Sequence, residues 1–276
     1  MAALALHWNA EALRSQLAAR RPAIDLEIVA ETGSTNTDLL ERLRAAPFVP
    51  CLRVAEQQSA GRGRHGRHWH AERGTALTFS LALSIARADW SGLSLAIGVA
   101  VADALDASHG APRIGLKWPN DLWLLDAPGR GRKLGGILIE TAPSVAGRVA
   151  VIGIGLNLIG RRGDAARFGT GYASLDELAA AGNAPTTLSR VAGPVLDAIE
   201  RFEQSGFGAF HARFGARDLL AGRPIRTSDR RAADGIAAGV SEDGALLVRA
   251  ADGTLHAIAS GEVSVRIDAA TAATPC

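Results

Sequence analysis

The sequence predicts an α+β chain, with a large first unit of strands and helices followed by a small all-β barrel. Three observations predict it. Apolar residues switch between strand-like and helical spacing up to Leu158, helical patterns dominate from Leu175 to Phe214, and only short β segments follow Gly222. Within Trp8–Arg20, Leu13 and Leu17 give a short amphipathic helix that Pro22 ends, and Ile24–Ala30 alternates as a strand. Thr35 or Asn36 caps a helix carrying Leu39, Leu40 and Leu43. Leu52–Glu56 and Ala76–Ile85 read as strands, and Leu93–Leu105 as a helix buried on most sides. Strands follow at Ile114–Trp118, Leu122–Leu125, Leu134–Glu140 and Val149–Leu158. Residues 159–173 read as a polar loop, and Leu175–Ala181, Leu188–Phe202 and Phe207–Phe214 as helices. The β segments are Pro224–Thr227, Gly235–Val240, Ala245–Arg249, Thr254–Ala259 and Val263–Ile267, with Asp243-Gly244 and Asp252-Gly253 as hairpin turns. The domains are therefore expected at 1–221 and 222–268, with a frayed tail at 269–276.

Composition narrows the function. The 276 residues, 47% apolar and 21% charged, exclude a disordered or collagen-like chain. A net charge of +2 is too small for a broad nucleic-acid surface, so any cationic function is local. Cys51 and Cys276 lie too far apart in sequence to suggest a metal or redox pair, which suits a reducing cytosol. No apolar run reaches the ~18 residues of a membrane span, since Gly98 and Asp103 interrupt Leu93–Leu105. The opening MAALALHWNAEALR lacks a basic segment and a clear apolar core, so a cytoplasmic location without a signal peptide is expected. Only two of the 30 basic residues are lysines, Lys117 and Lys133. In a chain so biased to arginine, a retained lysine marks a place where a compact ammonium does what a planar guanidinium cannot.

Both lysines sit in or beside unusual segments. Gly61-Arg62-Gly63-Arg64-His65-Gly66-Arg67-His68-Trp69 offers glycines for positive φ and close backbone approach, and three arginines with no acid between Glu56 and Glu72. With no large apolar anchor before Trp69, it is expected to be mobile when empty and to fold over a phosphate or carboxylate. A solvated loop and an RNA-binding patch are the alternatives. Lys117-Trp118-Pro119-Asn120-Asp121 lies between two strand-like runs, so Pro119 puts Asn120 and Asp121 at a strand end or turn. Lysine, amide and carboxylate together suit a magnesium–phosphate site, while a plain turn would look the same. Lys133-Leu134-Gly135-Gly136 places the second lysine at the mouth of a strand whose glycines imply either a bulge or a close approach by backbone or ligand. Gly153 and Gly155 alternate along one strand face, opening a slot with Asn157 at its end. Ser34, Thr35 and Asn36 can cap a helix or grip a polar head group, and Gln57 and Gln58 add neutral donors and acceptors.

In this order, the segments resemble the biotin–protein ligases: Ser34-Thr35-Asn36, Gln58 with GRGRHGRHW, KWPNDLW, RKLGGILIE and the Gly153–Asn157 strand. The likeness runs from about Glu31 to Leu158, and GFGAFHARF, DLLAGRPIR and SEDGALLV resemble that family's C-terminal region. The resemblance implies a mixed β-sheet flanked by helices, related to class II aminoacyl-tRNA synthetases, with a C-terminal SH3-like barrel. It implies a ligase using ATP and Mg²⁺, which forms biotinyl-5′-AMP and biotinylates one lysine of a carboxylase's biotin carrier domain. Ser34, Thr35, Asn36, Gln58, Arg62, Gly63, Arg64, Lys133, Gly135, Gly136 and Gly153 would bind biotin. Arg64, Arg67, Trp69, Lys117, Asn120 and Asn157 would bind the nucleotide, and Asp121 and Asn120 the metal. Lys133, Arg64 and Lys117 would act on the reacting groups. Some members carry an N-terminal winged helix-turn-helix, for which the roughly 30 residues before the first motif are too few, so DNA binding by that route is not expected. Neither is a membrane partner, and homodimerisation is left open. A lipoate or octanoate ligase is the nearest rival.

Overall fold

A computed structural model describes residues 6–106, 110–127, 130–144, 147–160, 171–178, 182–259 and 265–267. Its large sheet has seven strands: β1 (Asp25–Thr32), β2 (Cys51–Gln58), β3 (Ala76–Ser84), β4 (Ile114–Lys117), β5 (Asp121–Ala127), β6 (Arg130–Ser144) and β7 (Gly147–Asn157). Their spatial order is β1-β2-β3-β7-β6-β5-β4. Only β1 and β2 run parallel, and α2 (Thr35–Ala45) joins them, as a parallel pair requires a crossover. The other neighbours are antiparallel, which makes the sheet mixed.

Both faces are covered. On one, Leu39 and Leu40 of α2 pack with Cys51, Ala82, Ala142, Val149 and Val151. On the other lies the main core, which takes in α1 (Ala10–Ala18), α3 (Leu93–Leu105) and α4 (Ala184–Ser205). Coverage of both faces explains why β3 is buried at every position but its last and reads as a continuous apolar run. α4 starts earlier than the apolar period from Leu188 predicts: Asn183 caps it by accepting from the Thr186 N–H, and Pro185 occupies the first turn.

The expected helix Leu175–Ala181 is corrected to a single 3-10 turn, Leu175–Glu177, closed by a Ser174/Glu177 capping box; residues 179–181 lie outside the described set. Likewise Phe207–Phe214 divides into a 3-10 turn, Phe207–Phe210, and the short α5 (His211–Gly215).

The C-terminal sheet contains β8 (Pro224–Thr227), β9 (Asp234–Val240), β10 (Leu246–Arg249), β11 (Leu255–Ile258) and β12 (Val265–Ile267), in the order β11-β10-β9-β8-β12, all antiparallel. Gly244 and Gly253 supply the positive φ at its turns. This unit is docked on the first. The buried Trp118 indole donates to the Gly244 carbonyl at 3.0 Å, and the Lys117 ammonium of β4 to the Val265 carbonyl at 2.8 Å. Residues 263 and 264 and the tail 269–276 lie outside the described set. Among the described residues, no helix is long and apolar enough to cross a membrane.

Candidate active site

A cavity of about 780 Å³ opens on the sheet between the α2 N-terminus, the 61–69 loop, the β4–β5 turn and β12. At one end its wall is neutral. Ser34 is the N-cap of α2 but makes no side-chain cap bond, so its buried hydroxyl lines the cavity. The Thr35 N–H and hydroxyl meet Gln58 Oε1 at 2.8 and 3.0 Å, and the same hydroxyl lies 2.6 Å from Ser80 Oγ. Ser80 donates to Asn36 Oδ1 at 2.6 Å, and Asn36 Nδ2 donates to Glu140 at 2.9 Å.

At the other end positive charge gathers around Asp121, the one acid among the lining residues. Pairing of Lys117 with Asp121 across the β4–β5 ladder leaves Trp118, Pro119 and Asn120 as the connecting turn. Lys133 donates to Asp121 Oδ1 at 2.6 Å. Lys117 donates to the Val265 carbonyl at 2.8 Å and lies 5.6 Å from the Trp123 ring centroid. Burial pushes the Lys117 ammonium below the ordinary lysine range; Asp121 opposes this, and Lys133, Arg67 and Arg266 add to it. Burial also lowers Arg64, which reaches Asn120 Oδ1 at 3.5 Å. Asn120 Nδ2 donates to the Ile137 carbonyl at 2.7 Å, fixing the turn to β6.

The Gly/Arg loop is a small hairpin. Trp69 N–H bonds the Gly61 carbonyl at 2.9 Å, Gly63 N–H bonds Arg67 at 2.7 Å, and Arg62 bridges His68. Gly66 alone of its glycines has positive φ, with His65 beside it in the left-handed region. Arg62 turns back to Glu140 at 2.9 Å.

All but one of the predicted site residues line this cavity. Gly135 does not: a Cβ there would meet the Gly155 carbonyl at 2.6 Å, so this glycine serves strand packing, while its neighbour Gly136 faces the cavity. The slot expected over Gly153 and Gly155 is filled by protein. A Cβ on Gly153 would strike Asn36 Oδ1 at 2.3 Å, and one on Gly155 the Trp69 ring at 2.5 Å. Asn157 sits at the cavity wall, with Nδ2 already given to the carbonyls of Ala173 at 2.9 Å and Lys133 at 3.3 Å. Sequence reasoning missed Ser80, Glu140, Tyr172 and Val265–Ile267. A magnesium ion fits the donor set in a limited way. Asp121 and the Asn120 amide oxygen supply two oxygens, and a cation carried on phosphates needs few more from protein.

Residues 29–157 match the Biotin/lipoate A/B protein ligase family, and residues 221–266 the biotin protein ligase C-terminal domain. The chain thus belongs to the ligases of biotin and lipoate. Within that class, the chain is a member of the biotin protein ligase family. It is 34% identical to the bifunctional ligase/repressor BirA of Salmonella typhimurium, over 94% of this chain and 78% of BirA. It is 32% identical to the biotin–[acetyl-CoA-carboxylase] ligase of Paracoccus denitrificans, over 80% of this chain and 93% of that one. The structure of the Aquifex aeolicus biotin protein ligase in complex with biotin and ATP superposes with a TM-score of 0.73 and 27% identity, covering 88% of this chain and 99% of that one.

Proposed function

We infer that this cavity is where the ligase joins biotin to AMP and passes the biotinyl group to a carrier lysine, with the neutral end for biotin and the cationic end for ATP. In the first step a biotin carboxylate oxygen bonds the α-phosphorus of ATP as the bond to the pyrophosphate oxygen breaks. In the second, the carrier's lysine ε-amine bonds the acyl carbon, AMP leaves with the electron pair, and the amine loses a proton. Two anions must meet in the first step, so fixed positive charge where their charges crowd together is the largest lever available to the protein. Lys133 stands at the border of the two ends, held 2.6 Å from Asp121, and is the group to contact both the carboxylate and the α-phosphate.

Ser34, Thr35, Asn36 and Gln58 hold the ureido ring. Arg62, Gly63 and Arg64 close over the adenylate, with Gly136 giving backbone access, while Gly153 makes room for the Asn36 amide. Arg64, Arg67, Lys117, Asn120 and Asn157 serve the nucleotide, joined by Arg266 from β12, with Trp69 as a wall. Asp121 and Asn120 would hold a magnesium ion, which would supply charge neutralisation to the phosphates. Gly135 acts only through strand packing. The C-terminal unit takes part directly, because Val265 and Arg266 line the cavity. We place the domain division near Ala221 and the protein in the cytoplasm.

The observation that carries this reading is that one cavity is lined both by a neutral hydrogen-bonding set, Ser34, Thr35, Asn36 and Gln58, and by a cationic set, Lys117, Lys133, Arg64 and Arg67. The aliphatic tail of a lipoyl or octanoyl group has no polar atoms to match the hydrogen-bonding groups of the neutral end, which favours biotin over the lipoate reading. The experiment incubates a biotin carrier domain with the protein, ATP and Mg²⁺, and weighs the product. One biotinyl group on one lysine is expected. Modification by octanoate or lipoate in place of biotin would overturn the reading.

A further inference from the structure

Glu140 lies outside the cavity wall, yet two parts of the site converge on it. Its Oε2 accepts from Asn36 Nδ2 at 2.9 Å, and its Oε1 lies 2.9 Å from an Arg62 nitrogen of the Gly/Arg loop. From Asn36 the bonds continue through Ser80 and Thr35 to Gln58, which itself leads into that loop. The circuit therefore leaves the loop at Gln58 and returns to it at Arg62.

We propose that Glu140 is a positioning residue that fixes the hydrogen-bond direction of the biotin end and latches the loop to it. This rests on the assignment of that end to biotin. An ionised carboxylate only accepts. Asn36 must therefore turn its NH₂ toward Glu140 and its carbonyl oxygen toward Ser80. Ser80 must donate its one proton to that oxygen, so in the 2.6 Å contact with Thr35 it accepts. The one Thr35 hydroxyl proton is then shared between Ser80 Oγ and Gln58 Oε1, both of which accept, and Oε1 also accepts from the Thr35 N–H. The end thus presents acceptors, which suits a cyclic urea whose two N–H groups donate. An amide at 140 can donate as well as accept, so it would let Asn36 flip and both hydroxyls turn. The second oxygen of Glu140 holds Arg62, which is half exposed, so this arm is the weaker one.

The two arms are separated with Glu140→Gln, Arg62→Gln and the double variant of the full chain. The assays are biotin-dependent pyrophosphate exchange and labelling of a bystander protein by escaped biotinyl-AMP. Glu140→Gln should raise the KM for biotin about tenfold, leave the KM for ATP unchanged and raise bystander labelling about threefold. Arg62→Gln should raise labelling equally, with a smaller rise in biotin KM than Glu140→Gln gives. The double variant should combine the first variant's KM with no further labelling. An unchanged biotin KM in Glu140→Gln, a parallel rise in both KM values, or additive labelling in the double variant would each overturn the proposal. Arg62 is exposed enough to be replaced without loss of fold, so the latch is tested even where Glu140→Gln lowers stability. Wild-type protein lacking biotin-dependent exchange would instead sink the site assignment itself.

Discussion

The two ends of the cavity are built on opposite plans. The neutral end is complete in itself: Thr35, Ser80, Asn36, Gln58 and Glu140 bond one another, mostly below 3 Å. The cationic end holds Lys117, Lys133, Arg64, Arg67 and Arg266 around one carboxylate, and burial lowers both Lys117 and Arg64. The first end is preorganised to read shape and hydrogen-bond pattern. In the second, burial disfavours the charged forms of Lys117 and Arg64, and a bound phosphate would offset that lost solvation.

The largest expected effect is at the border. Lys133→Arg keeps the charge but replaces a point donor with a broad fork. Pyrophosphate exchange should fall about 100- to 1,000-fold while both KM values change little; a near-normal rate would remove Lys133 from the chemistry. Thr35→Val at the neutral end should raise the KM for biotin about tenfold by leaving Gln58 and Ser80 short of a partner. The KM for ATP should hold, and a matching rise there would erase the distinction between the ends.

A smaller effect follows from pH. Lys117 is protonated below its lowered pKa and neutral above it, so the KM for ATP should climb at lower pH than an unperturbed lysine would allow. Biotin KM should stay flat over the same range, and Lys117→Arg should move the ATP limb upward. A baseline comes from outside both ends. Burial pushes Asp218 up to about 6 against the N–H groups of Leu220 and Ala221, and its Oδ2 has no hydrogen-bond partner. A carboxyl whose folded pKa lies above its unfolded value favours the folded state when protonated, so stability should fall as pH rises from about 4 to about 6. Asp218→Asn should recover up to about 3 kcal/mol at neutral pH, read as a higher melting temperature with both KM values unchanged.

The ends also differ in how far the sequence revealed them. Contiguous motifs carried Lys117, Lys133, Arg64 and Thr35, because each stands in a run whose composition is unusual. Gly135 and Gly136 could not be told apart without the strand, since neighbours on a strand face opposite ways. Ser80 is a single hydroxyl in the apolar run ALTFSLALS, and its role depends on Asn36 reaching it from another element. Glu140 closes a recognised motif, but its two partners come from α2 and the loop. Val265 and Arg266 were least legible. They reach the site only because the C-terminal sheet docks on β4, and no local pattern encodes that contact. The helix expected at Leu175–Ala181 failed for a related reason, because a capping box alone stabilises no more than the first turn.

The central claim, one ligand per end with the reacting atoms at Lys133, is tested most directly by a crystal structure with biotin and a non-hydrolysable ATP analogue. The account predicts the ureido ring against Thr35 and Asn36, the phosphates beside Lys117 and Arg266, and the Lys133 ammonium drawn from Asp121 toward the biotin carboxylate. Biotin among the arginines, or a Lys133 still paired only with Asp121 while both ligands are bound, would contradict it.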